Sequence, residues 1–440
     1  MMRRIILIVF GGVLFPVLLA GQARQNAVVT SLAGTYTTHS RGVDAVGWNP
    51  ANLGFPEERP FSWSLVNING AAHNNAFSIA QYNRFSGANL ENENRKTDLL
   101  ESISSDGWRW TMDMHTSVPG ISFSVTNWAF TSDLIVLNDI SIPKDLFKFL
   151  FTGNTENDSL VFDFSQETLA LGMHSFSFGM PFQAFSLGIS LKYLNGLYYS
   201  GMTYQEGALY TTPEAITGVM HYQEQEAVGG NGVAVDIGVT TREREDWQFG
   251  MAINNLGGKM KWGKATPTAR FVSGTLSQLL PIDEIARTTN HFYGLDSLNG
   301  ESLYRKDMSD LVIDSVSVME GTEQFTVKYP TMFRFGGSYA LPDYYLKVMM
   351  DFRTGFEDRF FARNRWVWST ALEWRRKPWL PIRTGIAWDG SSFTQWGLGL
   401  GFETELLELN LGLSFERGMW IHTLKGMTFS LGMTYRILPD

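Results

Sequence analysis

Apolar and polar residues alternate at period two through most of this chain, and that alternation restricts what it can fold into more than any other feature. Leu407, Leu409, Leu411, Leu413 and Phe415 alternate with Glu408, Asn410, Gly412, Ser414 and Glu416. Trp396, Leu398, Leu400 and Phe402 alternate with glycines, and Met427, Phe429, Leu431, Met433, Tyr435 and Ile437 with Thr428, Ser430, Gly432, Thr434 and Arg436. Period two is the signature of a strand. The apolar face is large and aromatic, and the polar face is crowded with Gly, Ser and ionisable residues. A soluble sandwich is the alternative reading, but a lipid-facing exterior around a narrow polar lumen accounts for both faces. Runs of about ten residues suit a strand that crosses a bilayer tilted. Aromatics make up 14% of the chain, and Trp247, Trp366, Trp374, Trp388 and Trp396 suit the lipid–water boundary. The uncharged stretch 168–191 is long enough for a membrane helix, yet it alternates, with Pro181 and Gln183 where a hairpin turn belongs. The expected fold is all-β: a transmembrane antiparallel barrel of about fourteen strands, an even number.

The first residues read as an export signal. Met1 to Arg4 is a basic start, Ile5 to Ala20 an apolar run, and Gly21-Gln22-Ala23 a small-residue cleavage site. Gly11, Gly12 and Pro16 interrupt the run, which disfavours a permanent anchor. Residues 1–23 are therefore expected to be a cleaved signal peptide, and the protein to lie in a bacterial outer membrane. The chain has no cysteine, hence no disulfide or thiolate site. A net charge of -9 without a basic block argues against nucleic acid as partner. Seven scattered histidines show no metal-ligand spacing, and no phosphate loop or dinucleotide fingerprint occurs, so no metal or cofactor is expected. Asp113, His115 and Ser117 share one strand face, but Trp108, Trp110, Met112 and Met114 claim the lipid side. The three polar residues then face the lumen, away from any lipid substrate, and no enzyme is expected.

Residues 31–54 contain Arg41-Gly42-Val43-Asp44-Ala45 and Trp48-Asn49-Pro50-Ala51-Asn52-Leu53. Turn chemistry is plain here: Asn before Pro starts a turn, and Asn49 can hydrogen-bond its own backbone. On that ground alone a surface turn ahead of strand one is the better account. The segment also resembles the start of FadL-type outer-membrane transporters and of the related PorV-type barrels, where such a stretch lies in a small hatch before the first strand. Ser105-Asp106-Gly107 and Gly188-Ile189-Ser190-Leu191-Lys192-Tyr193 extend the likeness to an uncharacterised FadL-like family. Asn52 stands where FadL itself has Gly. Ser430-x-Gly432-x-x-Tyr435-x-Ile437 resembles the signal read by the barrel assembly machinery, with Ile437 in place of an aromatic. The resemblance implies residues 24–58 as a lumenal hatch, 59–440 as the barrel, and Arg41, Asp44, Trp48, Asn49, Pro50 and Ala51 as hatch residues. Arg41 and Asp44 are expected to pair with wall charges.

Two further groups are candidates. Arg353, Arg375 and Arg383, with Glu408 and Arg436, fall on the lumen side; they form either a mixed wall network or a carboxylate-binding arginine cluster. Pro143 to Phe151 gathers Leu146, Phe147, Phe149 and Leu150 in one short helix, and Leu276 to Ile285 is similar. In FadL-like barrels such loop helices form the groove where a ligand lands; otherwise this helix caps the mouth or lies on the bilayer. The resemblance implies passive uptake of hydrophobic small molecules such as long-chain fatty acids, with outer-membrane lipid around the barrel. The alternative is a PorV-like anchor or accessory for a secreted-protein partner.

Overall fold

The computed structural model describes residues 24–88, 92–153, 159–212, 214–263, 286–298, 312–319, 324–390 and 392–437. The expected signal peptide and the expected helix Leu276 to Ile285 lie outside them. Twenty strand segments form one antiparallel sheet. In chain order they are β1 Phe61–Asn74, β2 Trp108–Ser117, β3 Phe123–Val125, β4 Trp128–Ile142, β5 Ser159–Leu160, β6 Ser165–Pro181, β7 Phe185–Thr211, β8 Ile216–Val228, β9 Asn231–Thr241 and β10 Trp247–Trp262. Then follow β11 Ala286–Leu298, β12 Val312–Met319, β13 Phe325–Lys328, β14 Met332–Leu341, β15 Leu346–Gly355, β16 Val367–Trp374, β17 Ile382–Asp389, β18 Ser392–Glu403, β19 Leu407–Glu416 and β20 Gly426–Ile437.

Several segments are pieces of one stave. β2 and β3 both pair with β1 and β4; β8 and β9 both pair with β7. β10 and β11 continue one another beside β9 and β8, and β12, β13 and β14 lie along their far side. β20 pairs with β1 and closes the sheet into a barrel of 14 staves. Closure removes the unpaired edges that a bilayer would not tolerate.

The alternation sorts outside from inside. Leu400, Phe402, Leu409, Leu411, Ile189, Leu191, Trp247 and Trp374 are exposed on the outer face, while Ser190, Asp236, Ser414 and Ser430 between them are buried. One end has short turns at 182–184, 242–246, 342–345 and 404–406; the other carries longer loops with helices Ile79–Phe85, Glu93–Ser102 and Lys144–Thr152. Short turns mark the periplasmic end. Ser78 starts the first helix with a capping box: its Oγ accepts from Gln81 N, and Gln81 Oε1 accepts from Ser78 N. Trp108 does not take the lipid face. It packs beneath these loops against Phe77 and Phe147, because β2 begins above the bilayer rim where the loop helices supply an apolar cover.

Candidate functional site

Residues 24–55 lie inside the wall. Helix Ala27–Ser31, capped by Asn26, packs on β18, β19 and β20, and the short helix Pro50–Gly54 on β6, β7 and β9. The wall is small where the segment touches it. A Cβ on Gly188 would overlap the backbone of Ala51, and one on Gly397 would overlap Thr30 O. The inward glycines thus let backbone meet backbone.

Asn49 Oδ1 accepts from Ala51 N (3.1 Å), closing the turn. Its Nδ2 donates to Thr240 Oγ1 (2.8 Å) and to Val239 O (3.2 Å) on β9. Pro50 occupies the first helical position, where no N–H is needed. Trp48 is fully buried, with Arg334 stacked 4.0 Å from its ring and its Nε1 donating to Arg24 O at 2.6 Å. Asp351 Oδ2 accepts from Tyr36 N (2.7 Å), Thr37 N (2.9 Å) and Thr37 Oγ1 (2.8 Å), so one wall carboxylate holds two hatch amides.

Arg41 and Asp44 do not pair with wall charges. Arg41 pairs with Glu58 and reaches the wall only through neutral Gln248 (3.0 Å); Asp44 pairs with Arg24 at 3.3 Å. The segment folds tightly enough that its own opposite charges meet first. The hatch meets wall charges instead through Arg24 with Asp133 (3.5 Å), through Glu57 with Arg242 at the rim, and through a hydrogen-bond contact of His39 with Glu373 (3.3 Å).

The three arginines read as one cluster are apart. Arg375 and Arg383 sit at the periplasmic end and share Glu373 and Glu403 at 2.5–3.2 Å. Arg436 joins through Glu403 (2.9 Å) and Glu408 (3.3 Å), and Arg59 through Glu408 (2.9 Å). Each of these cations is met by carboxylate, so the group is a mixed network that laces β16, β17, β18, β19 and β20 together. Arg353 lies above the hatch, where its Nη1 donates to Ala33 O at 3.2 Å. Inward parity on β18, whose outward residues are Leu400 and Phe402, was the signal that would have found Glu403.

The loop-helix residues do not line one groove. Phe147 is buried with Trp108, Phe77 and Leu99; Leu146 packs towards Leu160 and Leu209; Phe149 and Leu150 are exposed. The helix of nine residues thus serves two neighbours, Phe147 and Phe151 turning to one cluster and Leu146 and Phe149 to Leu160 and Phe162.

One feature of the lumen has no counterpart in the alternation. Inward positions of β4, β6 and β7 above the hatch are Ile135, Leu137, Leu169, Leu171, Met173 and Leu194, all buried. With Trp262, Tyr329 and Phe360 they make an apolar cluster inside a barrel many of whose other inward residues, among them Ser177, Ser190, Asp236, Ser414 and Ser430, are small or polar. Phe360 comes from the loop 356–366 between β15 and β16. It is 1% exposed and has φ 49°, a region a bulky side chain rarely adopts. Its neighbour Arg359 pairs with Glu167 (Nε to Oε2 2.7 Å), which also accepts from Tyr199 Oη at 2.8 Å. A cavity of about 330 Å³ lies above this latch, lined by Arg109, Asp139, Glu167, Tyr199 and Arg359. A second of about 140 Å³ runs from the hatch towards the outer ends of β15, β17 and β19, lined by Val29, Arg353, Phe360, Arg363, Asp389 and Arg417 among others. Loop residues line both, Arg359 the first and Phe360 and Phe361 the second.

The closed wall, the lumenal N-terminal segment and the loop cap give this barrel a FadL-like fold. The chain belongs to the Family of unknown function (DUF5723), whose model matches residues 54–225 and 219–413. No curated protein matches. Among solved structures, the CymD monoaromatic hydrocarbon channel is similar at 11% identity, over 94% of this chain and 97% of that one, with a TM-score of 0.50; this likeness shows the fold. The Pseudomonas putida toluene transporter TodX (10% identity, 95% and 99% covered, TM-score 0.49) and the Ralstonia pickettii toluene transporter TbuX (13%, 94% and 98%, 0.49) are also similar.

Proposed function

We propose that this barrel conducts hydrophobic small molecules inward across the outer membrane, with loop 356–366 as the outer barrier and residues 24–58 as the inner one. The observation that carries the reading is the inward apolar cluster of Ile135, Leu137, Leu169, Leu171, Met173 and Leu194. A water-filled pore has no use for such a wall, whereas a lipophile crossing the lumen needs one. The ligand would reach the cluster by displacing Phe360 and then meet Arg353 and Arg363 beside the hatch. A polar end, carboxylate included, suits those two cations, so long-chain fatty acids belong to the proposed substrate class. No energy source is involved: the apolar surface lowers the barrier and the gradient sets direction.

The test is uptake of toluene and of a radiolabelled long-chain fatty acid by cells that express this barrel as their sole lipophile channel. Replacing Leu171 and Leu194 by Asn should cut uptake severalfold with the barrel still assembled. Unchanged uptake would remove the cluster from the path and the reading with it. A second reading, an anchor for secreted proteins, draws on β7, whose 27 residues far exceed the ten or so that cross a bilayer. Co-purification of a secreted protein lost on shortening β7 and β8 above residues 203 and 223 would favour it.

A further inference from the structure

At the periplasmic end nearly every cation has a carboxylate. Arg41 has Glu58, Arg59 has Glu408, Arg242 has Glu57, Arg244 has Glu245, Lys347 has Glu243, and Arg375, Arg383 and Arg436 share Glu373, Glu403 and Glu408. Arg376 and Lys377 break the pattern. They sit exposed in the turn 375–381 between β16 and β17, and among the described residues neither has an ion-pair partner. Nothing in the hatch or wall network uses them.

Their surroundings are those of a lipid–water boundary. Trp374 and Trp379 flank the pair and are both exposed. Lys377 Nζ lies 5.3 Å from the centre of the Trp379 ring, and that ring stands edge-on to Phe402 at 6.0 Å. From the turn an apolar strip runs up the outer wall through Leu372, Ile382, Leu400 and Leu407. Beside Trp379 is a notch of about 670 Å³, lined by Pro378, Trp379, Thr404, Leu406 and Arg436, with Glu403 and Glu405. Glu403 is taken up by three arginines; Glu405 offsets one of the two free cations, which leaves the turn net positive. By contrast the turn 242–246 carries Arg242 and Arg244 against Glu243, Glu245 and Asp246, the turn 342–345 carries only Asp343, and the turn 182–184 has no charge.

We infer that the turn 375–381 binds the anionic headgroup of a phospholipid in the inner leaflet, its phosphate on Arg376 and Lys377, its glycerol region against Trp379 and Leu406, and its tails along the Leu372–Leu400 strip. Cations beside an interfacial tryptophan attract acidic lipid, and the tryptophan fixes the depth at which the headgroup meets them. The strip gives the tails an apolar surface, so a free anion of the same charge gains only part of the contact. The site lies outside the lumen and stands whether or not the barrel conducts lipophiles.

The experiment is native mass spectrometry of the full-length barrel released from nanodiscs of equal phosphatidylglycerol and phosphatidylethanolamine. The wild type should retain phosphatidylglycerol preferentially. R376A/K377A should lower the retained ratio on the order of 10-fold, and R244A, at a periplasmic turn that carries more acidic than basic residues, should leave it unchanged. A third arm adds 50 mM inorganic phosphate to the barrel in uncharged detergent. Phosphate binding there as tightly as phosphatidylglycerol would assign the pair to a soluble anion and overturn the lipid reading. Equal retention of the two lipids, or a ratio unmoved in R376A/K377A, would overturn the site itself. Heat-modifiable migration on gels checks that each variant is a folded barrel.

Discussion

The Asn49 carboxamide accepts from Ala51 N with its oxygen and donates to Thr240 Oγ1 and Val239 O with its nitrogen. One side chain therefore both shapes the hatch turn and ties it to β9. Asn49→Ala would leave a buried hydroxyl and a carbonyl without their donor, which costs about 1–3 kcal/mol. Amides of the hatch near residues 46–56 should then exchange with solvent roughly 5- to 100-fold faster, read by hydrogen-exchange mass spectrometry. An unchanged rate would mean the neighbouring contacts hold the hatch unaided. The same geometry sets a cross-link: Asn49→Cys should join Thr240→Cys and not Ser414→Cys, since Ser414 is on β19, where Ala27 rather than Asn49 meets the wall. Glu58 adds a pH dependence at the rim. Burial pushes its carboxyl up, but Arg41 outweighs that and holds it below its ordinary 4.5. A depressed carboxylate stabilises the folded form above its ordinary pKa, and the contribution is lost as pH falls through the folded value. A spin label at position 56 should therefore gain mobility below about pH 4.5, and E58Q should show that mobility at neutral pH.

Whole elements were legible to different degrees, and the reason is which face each one buries. Strands between lipid and a polar lumen announce themselves: β18, β19 and β20 are strict alternations, and their parity also orients Glu408 and Arg436 inward. The lumenal place of residues 24–55 was legible through the resemblance that Trp48-Asn49-Pro50-Ala51 carries, since turn chemistry by itself gives only the local turn. Pairing of Arg41 and Asp44 was not, because it depends on how a segment without periodicity folds back on itself. The apolar lumen was missed because alternation fails there: Leu134-Ile135-Val136-Leu137 is apolar on both faces, and such a run looks like a strand buried on both sides. Loop 356–366 was missed as well; Phe360-Phe361 between Arg359 and Arg363 was its one signal. That loop now carries a prediction. Arg359→Ala removes the pair with Glu167, worth about 1 kcal/mol at a partly exposed site. Phe360→Ala removes the side chain that fills the apolar cluster. Each should raise lipophile uptake, the first by about 5-fold and the second by more, and a cysteine pair locking 360 to 171 should abolish it reversibly with reductant. Uptake insensitive to the lock would show that the loop is no barrier.

At the scale of the molecule, the barrel is a wall whose interior is occupied twice: by the hatch in its periplasmic half and by the apolar cluster with its loop in the outer half. Neither filling resembles an open pore. Backbone of the hatch lies directly against wall glycines on opposite sides, Gly188 facing Ala51 and Gly397 facing Thr30, which seats it on both sides; a cavity of about 550 Å³ remains between it and the wall beside Tyr36, His39, Lys347 and Glu373. Ions should therefore fail where lipophiles pass, since an ion needs a hydrated path and a lipophile needs only apolar contacts that yield in turn. In a planar bilayer the wild-type barrel should show no steady conductance. Removing both barriers should create one: Phe360→Ala opens the outer half, and Trp48→Ala with Asn49→Ala and Asn52→Ala unties the hatch, whose Asn52 Nδ2 donates to Thr37 O at 3.0 Å and Ser40 Oγ at 2.7 Å. Phe360→Ala alone should stay silent, because the hatch remains seated. The hatch variant alone should flicker at most, because the cluster above it stays dry. Steady conductance by the wild type would show that water already threads past the hatch, and the barrel would then act as a porin whose apolar patch has some other use.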